Sequence, residues 1–345
     1  MHAAQRDVQF GVAGTSPGTV PASAAPGSGT PSGRRDRMGT ELVASLVVAM
    51  SSRALFDLDE ANAVYETDGL EAYRAHQRER EHVPLAPGTG FALVRALLAI
   101  NERAGERLVE VLVLSRNDAD TGVRVMNSAE HHGLDLPRYA FTAGRPAWPY
   151  LASFDANLFL SADPDDVTAA AAAGFAAARL LDVPTTASDD AEGEVRIAFD
   201  GDAVLFDASS EAIYQQHGLE AFIANEERHA TDALQPGPLK PFLDALLAVN
   251  AHFPEDEAPI RLSLVTARNA AAHRRVITTL RAWGVLLHET FFLGGASKAR
   301  VLEQLRPQIF FDDQTRHLLP ASATTPAGHV PGFPSVPDVS AGPEV

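Results

Sequence analysis

Short apolar runs, each closed by polar residues, set the framework of this chain. Residues 195–199, 260–265 and 309–311 read as buried strands, because β-branched and aromatic residues fill them and each is too short for a helix. Between them the spacing turns helical. Ser209 or Ser210 caps a helix, Glu211 sits in its first turn, and Ala212, Tyr214, Leu219, Phe222 and Ile223 recur at helical intervals. A loop over 229–237 leads to a second helix over 239–250, and the turn Gly294-Gly295 leads to a third over 299–305. The alanine-rich stretch 167–181 reads as one amphipathic or buried helix; it is no membrane span. Groups with useful chemistry stand just beyond the strands. Asp200, Gly201 and Asp202 follow the first, Thr266 ends the second, Asp312 and Asp313 follow the third, and Lys298 opens the helix over 299–305. In an open parallel sheet ligands bind beyond the carboxyl ends of the strands, so the pattern predicts an α/β fold with these groups gathered at one edge.

The same wording occurs twice, about 150 residues apart. Leu55-Phe-Asp57 with Gly69-Leu-Glu-Ala-Tyr73 matches Leu205-Phe-Asp207 with Gly218-Leu-Glu-Ala-Phe222, and Ala96-Leu-Leu-Ala-Ile-Asn101 matches Ala245-Leu-Leu-Ala-Val-Asn250. A period this long implies two similar halves rather than a solenoid. The chemistry does not repeat. At this offset Met50 faces Asp200, Ser52 faces Asp202, Ser161-Ala162 faces Asp312-Asp313, and Ala147 stands near the place of Lys298. The expected organisation is a tail over 1–39, a degenerate half over 40–190, a chemically equipped half over 191–320 with a cap over about 209–250, and a second tail over 321–345. Both tails are rich in Pro, Ala and other small residues and are expected to be disordered; Met38 offers an alternative translation start.

Composition narrows the chemistry. The chain has 345 residues and no cysteine, which excludes disulfides and thiolate chemistry and fits a cytoplasmic location. Its net charge of −17 makes nucleic acid and anionic membranes poor partners. Twelve histidines form no pair spaced for a metal; His131, His132 and His217 read as surface or core residues.

Taken together, Ala198-Phe-Asp-Gly-Asp-Ala-Val-Leu-Phe206, Leu264-Val-Thr-Ala-Arg268, Gly295-Ala-Ser-Lys298 and Phe310-Phe-Asp-Asp-Gln314 resemble the cytosolic 5′-nucleotidase type I family of the haloacid dehalogenase-like phosphatases, as does Ser51-Ser-Arg-Ala-Leu-Phe-Asp57. The resemblance implies two tandem haloacid dehalogenase-like halves with Rossmann-like parallel sheets, the first degenerate, and a small helical cap. It implies that Asp200 attacks phosphorus, and that Asp202, protonated when substrate arrives, acts as acid and then base. Thr266, Lys298 and Gly201 hold phosphate oxygens. Mg²⁺ is bound by Asp200, the carbonyl of Asp202 and the Asp312-Asp313 pair. The implied substrate is an AMP-like nucleoside 5′-monophosphate. A phosphatase for another small organic phosphate and a nucleotide-binding regulator without turnover are the alternatives. Phe206, Tyr214 and Phe222 could stack a base but read more simply as core. Homo-oligomerisation is left open.

Overall fold

Residues 44–181, 193–268 and 270–332 are described by a computed structural model. The expected tail over 1–39, with Met38, lies outside them. Leu42–Val345 forms one compact unit. Ten short strands make one sheet: Leu46–Met50 (β1), Val109–Ser115 (β2), Arg138–Phe141 (β3), Leu158–Ser161 (β4), Ala177–Leu180 (β5), Val195–Phe199 (β6), Ile260–Thr266 (β7), Glu289–Phe292 (β8), Ile309–Asp312 (β9) and Ala327–His329 (β10). Their order is β3-β2-β1-β4-β5-β10-β9-β6-β7-β8. The central strands are near-continuous apolar runs because helices cover both faces, as parallel sheets require.

The order β3-β2-β1-β4-β5 recurs outward as β8-β7-β6-β9-β10. Pairing within each set is parallel, and β5 meets β10 antiparallel, with His329 opposite Arg179. The carboxyl ends of the two sets therefore point to opposite edges of the sheet.

The helices are Ser52–Leu55 (α1), Asp59–Glu79 (α2), Phe91–Ala104 (α3), Gly122–His131 (α4), Pro164–Ala172 (α5), Ser209–Arg228 (α6), Lys240–Asn250 (α7), Ala270–Ala282 (α8), Ala299–Leu305 (α9) and Thr315–Ala321 (α10). Both α2 and α6 bend where a glycine takes positive φ, at Gly69 (84°) and Gly218 (79°). Helix α7 packs on β1 and α3 on β6, so each set of strands is covered in part by a helix from the other. Arg103 of α3 donates to the carbonyl of Glu257 and lies over the Phe253 ring. One apolar core accordingly runs through residues of both sets.

Three expectations change. The stretch 167–181 is not one helix: α5 stops at Ala172, Gly174 turns left-handed at φ 89°, and the small residues that follow pair with β4 as β5. The proposed cap over 209–250 is not one unit either. Helix α7 buries Phe242, Leu243, Leu246 and Val249 in the core, whereas α6 buries only Ser210, Phe222 and Glu226. Finally, 321–332 is not a loose tail. Strand β10 fills the slot between β9 and β5, with Ala327 and Val330 buried, and Gly328 lies so close to Phe311 that a Cβ there would sit 2.8 Å from the ring. Residues 333–345 lie outside the described residues.

Removing residues 321–345 should therefore lower stability, because it deletes the strand that joins the two sets. A loss on the order of 4 kcal/mol is expected from the apolar area re-exposed, or roughly 10 °C in Tm. A thermal melt of the truncated chain checks this; an unchanged Tm would show that β10 contributes nothing.

Candidate active site

Four strand or helix ends on one edge bring the expected residues together. Strand β6 delivers Asp200, whose backbone N–H donates to the carbonyl of Phe311 at 2.8 Å, tying the ends of β6 and β9. Strand β7 ends at Thr266 and β9 at Asp312, both buried. Lys298 occupies the N-cap position of α9 and is 1% exposed. Its Nζ lies 2.8 Å from Asp200 Oδ1 and donates to Asp312 Oδ2 at 2.6 Å. The Phe310 ring lies beneath it. Asp313 follows Asp312 and turns one carboxylate oxygen into a buried position without a hydrogen-bond partner.

After Asp200 the chain takes a π-turn, Gly201–Leu205, in which Ala203 adopts φ 56°. Its counterpart after β1 is an ordinary helical turn, α1. The register shows what the difference means. Met50 pairs with Leu160 as Phe199 pairs with Phe311, and Ser51 N–H donates to the carbonyl of Leu160 as Asp200 does to that of Phe311. Ser51, not Met50, is thus the counterpart of Asp200. The second turn holds one residue more than the first, and the repeat realigns at Phe56 and Phe206, which bridge to Pro87 and Pro236. The turn is clamped by Gly237, where a Cβ would lie 2.3 Å from the Phe206 carbonyl.

Asp202 departs from expectation. The sequence reading requires it protonated when substrate arrives. In the structure Arg268 grips both of its oxygens, Nε to Oδ2 at 2.7 Å and Nη2 to Oδ1. Arg268 also donates to Glu226 Oε2 at 2.8 Å. Glu226, on α6 and fully buried, accepts from Arg275 and Ser210 as well. Sequence reasoning missed this chain of groups. Arg268 was within reach, since it sits two residues past Thr266 in a quoted motif, but Glu226 reads as one more charge on a polar helix. Phe206 and Phe222 are buried beside Arg268, leaving Tyr214 as the exposed aromatic of the three.

The electrostatics call for a cation. Asp200, Asp312 and Asp313 each offer an oxygen within 4.8 Å of the others, the one such group among the described residues. Lys298 alone cannot neutralise three carboxylates. Burial pushes Asp200 up to about 6 despite Lys298, and pushes Asp313 up to about 8 with help from Asp200 and Asp312. Burial also works against the Lys298 ammonium, but Asp200 and Asp312 outweigh it and raise its pKa. An all-oxygen donor set with an unpartnered buried oxygen suits a hard divalent ion such as Mg²⁺. The Asp202 side chain stands apart from the set.

A pH dependence follows. Asp313 has a folded pKa raised above its unfolded value, so without metal it contributes stability that is complete below about pH 4 and lost as the pH rises to about 8. A divalent ion needs the ionised form. Melting the metal-free chain with and without Mg²⁺ should show a larger Mg²⁺-induced rise in Tm at pH 8.5 than at pH 6. The reverse order would rule out this cluster as the metal site.

Comparison with known proteins agrees with this arrangement. Residues 38–335 match the profile of the 5′-nucleotidase family. Over 287 residues the chain is 39% identical to human cytosolic 5′-nucleotidase 1B, covering 79% of this chain and 47% of that protein. The chain thus spans about half the length of the curated relative it matches. With a profile match over most of its length and a relative at this identity, the chain belongs to the 5′-nucleotidase family.

Proposed function

We propose that this chain is a Mg²⁺-dependent phosphoric monoester hydrolase that cleaves nucleoside 5′-monophosphates, AMP-like ones foremost, through an aspartyl-phosphate on Asp200. The observation that carries the reading is the Asp200–Lys298–Asp312 cluster, with Asp313 unpartnered beside it, at the carboxyl edge of a parallel sheet. The family and the name of the human relative support the substrate class.

Each residue has a task that its position supports. Asp200 attacks phosphorus in line. Lys298 fixes its carboxylate and receives a phosphate oxygen. Thr266, whose Oγ lies next to Gly201, donates to another. Mg²⁺, held by Asp200, the Asp202 carbonyl and the Asp312-Asp313 pair, would neutralise the phosphate and the carboxylates that surround it. Asp202 hands a proton to the leaving 5′-oxygen and then takes one from water. To do so it must leave part of the Arg268 fork, so Arg268 is a positioning residue whose hold on Asp202 is set by Glu226. The first set of strands, 46–180, is read as a catalytically degenerate copy, and α6 alone as the cap element.

Three measurements test this reading. Asp200→Asn should retain the fold and lose turnover by about 10³-fold or more, as expected for loss of a covalent nucleophile. Activity within tenfold of wild type would remove Asp200 from that role. Arg268→Lys, which cannot fork, should lower kcat by roughly 10²-fold with KM little changed, because it acts on proton transfer rather than binding. Phosphate release from a panel of nucleoside monophosphates and sugar phosphates, with and without Mg²⁺, tests the substrate class. Equal or faster release from sugar phosphates would leave the chemistry standing and replace the nucleotide by another organic phosphate.

A further inference from the structure

The opposite edge of the sheet carries a second pocket. Beyond the carboxyl ends of β1, β2 and β4 lies a cavity of about 550 Å³, within the range of small-molecule sites. It occupies the place that the catalytic cluster holds in the other set of strands. Register makes Ser51 the counterpart of Asp200, Ser115 of Thr266 and Ser161 of Asp312, and all three serines line the cavity. Buried Ala147 heads its helical turn where Lys298 heads α9. The nucleophile, the ammonium and the metal ligands are thus all replaced, while the hollow is kept.

The polarity of the hollow is reversed. In the catalytic cluster the unsatisfied buried atom beside the Lys298 ion pairs is an acceptor, Asp313 Oδ1. In the second cavity such atoms are donors. Arg179 Nε and Asn117 Nδ2 are buried without a hydrogen-bond partner, and both residues line the cavity. A buried donor without an acceptor is costly to leave unmade, so two of them on residues that line one hollow favour an acceptor-rich ligand. The charge agrees: four arginines, Arg53, Arg74, Arg116 and Arg179, stand against three aspartates, in a chain of net charge −17. Arg74 and Arg116 are held by Asp118 and Asp166 at 2.8 Å, and Arg53 by Asp59 at 3.1 Å, so Arg179 and Asn117 are the groups left to meet a ligand. The remaining wall is apolar and aromatic. Tyr65 and Tyr73 meet edge to face, and Tyr65 and Leu70 are about half exposed at the cavity. Such a wall suits a planar ring.

We propose that this cavity binds a nucleoside phosphate without hydrolysing it, the phosphate on Arg179 and Asn117 and the ring against Tyr65 and Tyr73. With serines in place of the carboxylates, neither an aspartyl-phosphate nor a carboxylate metal cluster can form there. The proposal does not rest on turnover at the other edge.

The test is a count of binding sites on the full chain with Mg²⁺ present. The probe is an adenosine phosphonate in which a methylene replaces the ester oxygen, followed by equilibrium dialysis. Wild type should bind two equivalents. Asn117→Asp is nearly isosteric and can still accept from the Tyr73 hydroxyl, but it turns the unpartnered donor into an acceptor. It should bind one equivalent, as should Arg179→Gln, with circular dichroism confirming that both are folded. Adenosine lacking a phosphate should leave the second equivalent unfilled. As many equivalents in both variants as in wild type, or adenosine filling the site as well as the phosphonate, would each overturn the proposal. Failure of nucleotide hydrolysis in the activity assays would bear only on the equivalent at the Asp200 edge, and the equivalent lost in Asn117→Asp and Arg179→Gln would still report this cavity.

Discussion

A single buried ammonium governs the edge that carries Asp200 and Asp312. Lys298 has given up its water, and the loss is offset only because Asp200 and Asp312 stand at 2.8 and 2.6 Å. Removing one member of such a group strands the others as uncompensated buried charge, which costs far more than the intact group contributes. The constraint propagates outward. Asp200 and Asp312 must end adjacent strands in fixed register, so β6 and β9 must pair as they do. Lys298 must begin a short helix anchored by buried Leu302 and stopped by Arg306 in the left-handed region. The π-turn at Gly201–Leu205 swings Asp202 away from this group toward Arg268 and so keeps a fourth carboxylate out of it.

Much of this was legible in the chain. Apolar runs of strand length gave β6, β7 and β9 nearly to the residue, and the polar groups placed after them do converge. Lys298 was legible because a lysine three residues after a glycine turn and directly before a helix stands at the sheet edge. What failed did so for identifiable reasons. The repeat was aligned on Leu55-Phe-Asp57 and Leu205-Phe-Asp207, which hides the extra residue accommodated in the π-turn, and so Met50 was set opposite Asp200 in place of Ser51. An alanine run has no preference strong enough to show where α5 yields to β5; Gly174 and the partner strand decide it. Strand β10 has three residues, and only its fit between β9 and β5 distinguishes it from a tail. Glu226 carries no local signal of its role, since beyond its neighbour Asn225 its partners lie 16, 42 and 49 residues away.

The two sets of strands differ at their edges more than beneath them. Each carries the same strand order, the same bridge from phenylalanine to proline and the same glycine-bent helix. Because α3 lies under β6 and α7 under β1, neither set has a complete core of its own. The first set is therefore held in the molecule by packing whatever its edge does, which leaves that edge free to carry different chemistry.

The antiparallel junction adds a last consequence. Opposed sets place their carboxyl ends on opposite edges, yet β5 and β10 are only four and three residues long, and at that length opposite edges are neighbours. Arg179 lines the second cavity and pairs across the ladder with His329, whose ring lies 3.0 Å from the Asp313 carbonyl. A single rung of backbone thus separates a wall of one cavity from the backbone of Asp313 at the other edge, although the chain takes 134 residues to travel from Arg179 to Asp313.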